Sequence, residues 1–344
     1  DPLTTPISQP ELRQSPAVAL RRKILLLVAL LLVVLALSLL LGRYPKPGLL
    51  PFSSLEEDPL ARSLVFNLRL PRILTAVLLG MALAGSGTVF QTIFSNPLIE
   101  PGFLGVSQGA AFGAAFCILF FSNTGYQVQL FAVLFAFTGL WLSYMLARRV
   151  RYGGWVLRLV LAGIAVSAFF SAGVGLLKYA ADPLSQLQEI TFWMLGGLWN
   201  ITWTEFLSIA PLVGVALFIL YSMRWRLNIL SLNDETAHAL GVNPGRERAI
   251  LLVAATTAAA LVISISGLVG WVGLIIPHIS RRLFGANTRY SLPGSLVAGG
   301  LFTLLCDDFA RTVLYGEIPL GIITSLIGAA VFIFLMVKPQ LERG

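Results

Sequence analysis

The chain has 344 residues, of which 57% are hydrophobic and only 12% charged, with a net charge of +8. A soluble domain carries roughly 25% charged residues, so this composition excludes a water-soluble globule and requires lipid as the main solvent. The basic residues fall in short clusters between apolar runs rather than in one patch, which argues for membrane topology and against a nucleic-acid partner.

Residues 1–23 are polar at first and end on Arg21, Arg22 and Lys23, as expected for a cytoplasmic tail. The chain opens on Asp1 rather than Met, so its natural start is expected upstream. The apolar run 24–41 lacks a small-residue cleavage site, which favours a retained span over a signal peptide. A span takes about 20 mostly apolar residues. Ten are predicted, at 24–42, 70–94, 103–121, 127–147, 155–177, 205–223, 249–267, 271–284, 292–311 and 319–337. They form one transmembrane domain over 24–338, with a short cytoplasmic tail at 339–344. The expected fold class is therefore all-α and polytopic.

Ten spans put both termini on one side. With the N-terminus inside, the inner segments hold sixteen basic residues, including Arg13, Arg148, Arg149, Arg151, Arg224, Arg226, Arg246, Arg248, Arg281, Arg282 and Arg343. The outer segments hold seven: Arg43, Lys46, Arg62, Arg69, Arg72, Lys178 and Arg311. This bias predicts cytoplasmic termini. Residues 182–203 are too polar at their start to span, and form an expected outer helix and loop with Trp193, Trp199 and Trp203 near the interface. Residues 227–247 form the longest inner loop. Asp234 is expected to cap a short helix through Leu240, ended by Gly241 and Pro244.

Gly105, Gly109 and Gly113 on the third span, and Gly80, Ala84 and Gly87 on the second, are spaced for close helix packing. Spans two and seven carry similar small-residue runs, a weak sign of inverted duplication. Asn96-Pro97, Glu100-Pro101 and Ile276-Pro277-His278 interrupt apolar stretches, either as span ends or as gating and pathway elements. A proline within a span frees a carbonyl that needs another donor. His278 has no Cys, Asp or Glu at ligand spacing, so no metal site is expected. Arg69, Arg72 and Arg311 run against the inside bias, and either snorkel to headgroups or meet an acidic partner outside. The cysteines, Cys117 and Cys306, sit in apolar runs and read as structural. The chain has no phosphate-binding loop and no nucleophile–base pair, so neither an ATPase site of its own nor an enzyme activity is expected, and no cofactor is implied.

The stretches RLPRILTAVLLGMALAGSGTVFQ (69–91), NPLIEPGFLGVSQGAAFGA (96–114), LSLNDETAHALGV (230–242), GLIIPHISRRLFG (273–285) and DDFARTVLYGEIPLGIITSLIGAAVFI (307–333) resemble the iron-chelate and vitamin B12 uptake permeases of bacterial ABC importers. They occur in family order and cover most of the chain beyond the first span. The resemblance implies the type II ABC importer permease fold in the inner membrane, with two permease subunits, identical or paralogous, around a central pathway. It also implies two cytoplasmic ATPase subunits and a soluble substrate-binding protein as partners.

By the same resemblance, Asn233, Asp234, Glu235, Ala237, Leu240 and Gly241 meet the ATPase, and Arg69, Arg72 and Arg311 face acids of the binding protein. Asn96, Pro97 and Leu98 lie near a cytoplasmic gate, and the fifth span near Gly153 and Ala165 lines the pathway. One departure is Asn233, where the family often has glycine. Asparagine also suits turn and cap geometry. Ferric siderophore is the first expected cargo, with haem, vitamin B12 and oxyanions such as molybdate as alternatives. An ion-coupled secondary transporter would instead place acids or charge pairs in mid-span, whereas here the acids lie mostly at predicted span ends.

Overall fold

The computed structural model describes residues 16–44, 48–121, 125–232, 234–314 and 316–341. Asn233, Lys46, Arg13, Arg343 and most of the two predicted tails lie outside the described residues. The fold is all-α. Each of the ten predicted spans corresponds to a helix: α1 (Pro16–Leu40), α4 (Leu70–Ile93), α5 (Val106–Phe120), α6 (Gly125–Arg149), α7 (Trp155–Ala180), α9 (Trp203–Ser222), α12 (Pro244–Ser266), α13 (Val272–Phe284), α14 (Thr288–Thr312) and α15 (Leu320–Leu341). Five short helices join them: α2 (Phe52–Glu57), α3 (Pro59–Ser63), α8 (Gln186–Leu195), α10 (Arg226–Leu230) and α11 (Asp234–Ala239). A two-residue antiparallel pair, β1 (Leu41–Gly42) with β2 (Gly48–Leu49), follows α1. Among the described residues, seven helices are long and apolar enough to cross a bilayer, and α5 and α15 hold shorter apolar runs.

Burial runs opposite to a soluble bundle. In α1, apolar side chains such as Leu25 and Leu32 lie exposed, as lipid-facing positions should. The interior is built from α4 and α12, whose buried residues are largely Ala, Gly, Ser and Thr. Lipid removes the hydrophobic drive between spans, so close backbone approach and dispersion must hold them. A Cβ on Gly80 would lie 2.0 Å from the Gly299 carbonyl oxygen of α14, and one on Gly87 would lie 1.9 Å from that of Gly273. Gly109 and Gly113 likewise pack on the α6 backbone, each 2.3 Å from a carbonyl by the same measure. The small-residue runs are thus packing faces.

Three boundaries differ from expectation. The third span starts at Val106 rather than 103, because Pro101–Leu104 forms a 3-10 turn and Gly105, at φ +79°, reverses the chain before α5. Residues 16–23 belong to α1 rather than to a tail. Pro244 opens α12 instead of ending α11, since proline at the first helical position needs no amide donor. Tyr44, between β1 and β2, donates to Asp58 at 2.8 Å and holds that carboxyl below its usual range, while Asp58 caps α3 through Leu60 N.

Candidate functional site

Three regions hold the candidate residues. At one end, α10, α11 and the start of α12 form a platform. Helix α11 ends in a Schellman motif: Gly241 takes φ +76°, its amide donates to the His238 carbonyl at 2.9 Å, and the Val242 amide donates to the Ala237 carbonyl at 3.0 Å. Ala237 and Val242 are buried beneath the turn, whereas Leu240 is 58% exposed. Arg248 of α12 grips the helix from below, with Nη2 2.8 Å from Asp234 Oδ1 and 3.3 Å from the Leu230 carbonyl. Arg226 pairs with the buried Glu247, and Asn228 donates to Asn287 at 2.9 Å while accepting from the Thr288 amide at 2.9 Å. The platform is thereby tied to α12 and α14. Glu235 stands exposed on α11.

At the opposite end of α4 and α14, the structure brings Arg69, Arg72 and Arg311 together among acids of the same chain. Arg72 forms a bidentate pair with the fully buried Asp307, with Nη2 at 2.9 Å and Nε at 3.1 Å, and also pairs with Glu317 at 2.8 Å. Arg311 contacts Asp308 and donates to the Leu41 carbonyl at 2.8 Å and that of Ser38 at 2.6 Å. The Ser38 hydroxyl also donates to Asp308. Arg69 donates to the Leu39 carbonyl at 3.3 Å. These bonds fasten α1 and α4 to α14. Within the acid–arginine group, Glu317 is the most exposed member, at 38%.

The third region lies between these ends. Helix α4 terminates in a second Schellman motif with Ser95 at φ 47° in the position that usually takes glycine. The Asn96 side chain accepts from the Leu98 amide at 2.9 Å, and Pro97 and Leu98 are exposed. The chain then turns back between the helices, so Glu100 lies beside the first turn of α13. It lines a cavity of about 400 Å³ with Ser107, Gln108, Ile164, Ser167 and Gly270. Its carboxylate has no hydrogen-bond or ion-pair partner among the described residues. Ala165, on the exposed face of α7, adjoins the cavity-lining Ile164, whereas Gly153 lies in the turn that precedes α7, at φ +77°.

Sequence reasoning marked Glu100-Pro101 as a polar break, either a span end or a gating and pathway element, but did not place this half-buried acid on a cavity, because nothing local reveals that the loop folds inward. Pro277 was legible as a break. It leaves the Gly273 carbonyl without its helical donor, and Gln91 of α4 takes that place at 3.3 Å, with a second bond of 3.1 Å to Leu274. Among the described residues no cluster of His, Cys, Asp and Glu fits a metal ion.

The FecCD transport family model matches residues 30–338. The molybdate import system permease protein MolB of Haemophilus influenzae is 41% identical over 94% of this chain and 97% of its own length. The hemin transport system permease protein HmuU of Yersinia pestis is 37% identical over 81% of this chain and 84% of its own. A metal-chelate type ABC transporter solved in an inward-facing conformation superposes with a TM-score of 0.85 at 38% identity, covering 92% of this chain and 99% of that one. Continuous matching from the first span to the last, in sequence and in fold, has one reading: the chain belongs to the FecCD transport family.

Proposed function

We propose that this chain is the membrane-spanning permease subunit of an ATP-driven importer in the inner membrane, and that its cargo is a metal chelate, ferric siderophore first. The observation that carries the reading is the α11 platform within this family fold. A six-residue helix is closed by Gly241, anchored by Arg248 and left with Leu240 uncovered. A rigid, exposed turn of this kind suits transmission of force from a partner. Two ATPase subunits supply that force, one per permease subunit, at Asp234, Glu235 and Leu240. The platform and both termini then face the cytoplasm, in keeping with the basic bias of that side.

The opposite end, with Arg69, Arg72 and Arg311, meets the substrate-binding protein. There an incoming carboxylate competes with Glu317 for Arg72. A second copy or a paralogue completes the pathway, against the exposed face of α7 around Ala165. ATP-driven closure rocks the two halves, and the chain itself performs no covalent chemistry.

The alternative cargo is an oxyanion, favoured by the molybdate permease at 41% identity. Haem and vitamin B12 are further alternative cargoes. Reconstitution with the cognate ATPase and binding protein tests both readings. ATP-dependent uptake of a radiolabelled ferric siderophore is expected; uptake of molybdate alone transfers the assignment to oxyanions, and uptake without the ATPase rejects the importer reading.

A further inference from the structure

A second cavity, of about 630 Å³, opens between α6, α7 and α12 directly beside the α11 platform. Its walls are apolar and aromatic: Leu140, Trp141 and Tyr144 from α6, Trp155 and Leu159 from α7, and Leu252 from α12. Along α12 it runs from Gly245 to Val253, a rise of about 12 Å. From Arg248 at its mouth to Val253 the apolar part rises about 8 Å, roughly half the hydrocarbon depth of one leaflet, about 15 Å. Trp141 and Tyr144 stand 56% and 42% exposed, so the groove is open at its side.

At the mouth of the groove Arg248 lines the wall and pairs with Asp234, the one acid among its described lining residues. The Arg248 Nε is buried and has no hydrogen-bond partner among the described residues, although the same guanidinium reaches Asp234 and the Leu230 carbonyl through Nη2. Arg148 lies 5.8 Å from the Tyr144 ring centroid, and Tyr144 stacks edge-on against Trp155. A buried donor left unpaired costs about 1–3 kcal/mol, and two non-bridging phosphate oxygens match the fork of a guanidinium. An apolar slot between spans, an aromatic rim and an under-satisfied arginine together describe one ligand chemistry.

We propose that this groove binds an anionic phospholipid of the adjacent leaflet. The acyl chain lies along Leu140, Trp141 and Leu252. The phosphodiester takes the Arg248 Nε and competes with Asp234 for the rest of the guanidinium. Basic pockets between spans are established binders of anionic headgroups. Here the headgroup site shares its arginine with α11, so lipid occupancy loosens the Asp234–Arg248 tie that holds that helix. A zwitterionic lipid fills the slot with the same chain but brings its own cation to the mouth, and binds less well.

The test uses the full-length protein in vesicles containing dibrominated phosphatidylglycerol or dibrominated phosphatidylcholine at equal mole fraction. The groove signal is the tryptophan quenching lost in a Trp141→Phe/Trp155→Phe variant. Phosphatidylglycerol is expected to be preferred about fivefold, with the preference abolished in Arg248→Gln. Asp234 is exposed, so Asp234→Asn tests the same competition without disturbing the core; it is expected to strengthen the preference. Equal quenching by the two lipids, a preference that survives Arg248→Gln, or one that weakens in Asp234→Asn overturns the proposal. Groove tryptophans shielded from both lipids also overturn it, and assign the groove to a protein partner.

Discussion

Gln91 donates its side-chain amide to the Gly273 carbonyl at 3.3 Å, the same carbonyl that Pro277 deprives of a donor four residues later. One glutamine thereby lets a broken helix lie against α4 inside the bilayer, with Arg281 donating in turn to the Gln91 carbonyl oxygen. The break is tolerated because its exposed backbone is bonded within protein rather than left to lipid. Gln91→Leu takes the side-chain donor from the Gly273 carbonyl and the acceptor from the Arg281 guanidinium at once. A loss of about 2–4 kcal/mol is expected, readable as an earlier thermal transition in detergent. Gln91→Glu keeps an acceptor for Arg281 but loses the donor, and is expected to fall between. A leucine variant as stable as the parent removes the glutamine from this role.

The Arg72–Asp307 pair has a different energetic character. Asp307 is fully buried and its partner nearly so, so removing one member leaves Arg72 to the half-exposed Glu317 or Asp307 to Arg311 at 4.0 Å, a poorer compensation that costs up to about 3–5 kcal/mol. Asp307→Asn and Arg72→Gln are each expected to destabilise the protein by that order, with the double variant recovering part of the loss. Glu317→Gln touches the same arginine from a 38% exposed position and is expected to cost under about 1 kcal/mol. If Arg72 also meets the binding protein, Glu317→Gln raises the affinity of that encounter. Thermal unfolding and a binding titration on the same variants separate the fastening role from the docking role. A neutral Asp307→Asn rejects the first, and an unchanged affinity in Glu317→Gln rejects the competition between acids.

Most of the bundle was legible in the sequence because hydropathy and length alone decide which segments enter lipid. The ten predicted spans each met a helix, and the glycines at 80, 87, 109 and 113 fell on helix contacts. Positions that depend on distant partners were not legible. Arg72 and Asp307 are separated by 235 residues, and no local pattern says that arginines read as outward-facing are bonded to acids of their own chain. Glu100 is the sharper case. Its neighbours in sequence mark a span end, but the inward turn after Ser95 carries it beside Gly273, and only the fold supplies that position. Gly241 was legible for the opposite reason, because its role is set by the six residues before it.

Gly241 gives the most local prediction. Its φ of +76° costs a residue with a Cβ about 1–2 kcal/mol, and no described residue lies within reach of an added Cβ, so the expected effect is strain. Gly241→Ala is expected to leave the bundle intact and loosen α11. Hydrogen exchange at Leu240, Gly241 and Val242 should rise about tenfold, the factor that about 1.4 kcal/mol gives. Gly241→Asn, which tolerates this conformation, should exchange nearly as slowly as the parent. Leu240→Asp changes the exposed contact instead of the backbone, and is expected to abolish retention of the ATPase in co-purification while leaving exchange on α11 unaltered. Fast exchange in both variants would mean that Leu240 holds the helix rather than the partner.

Glu100 separates stability from transport. A carboxylate without a partner among the described residues contributes little to folding, and the positive end of α13 lies beside it as electrostatic support. Glu100→Gln is therefore expected to leave the thermal transition unchanged or move it slightly upward, in contrast to Asp307→Asn. An acid kept at such depth without a structural return is a mark of function. In the reconstituted importer Glu100→Gln is expected to lower cargo uptake at least about tenfold, the cost of losing one charge-assisted contact, while ATP hydrolysis stimulated by the binding protein persists. Glu100→Asp keeps the charge but withdraws it by one methylene, and should recover part of the uptake. Hydrolysis lost together with uptake would place Glu100 in the coupling movement, and uptake at the parental rate would leave the cavity outside the pathway.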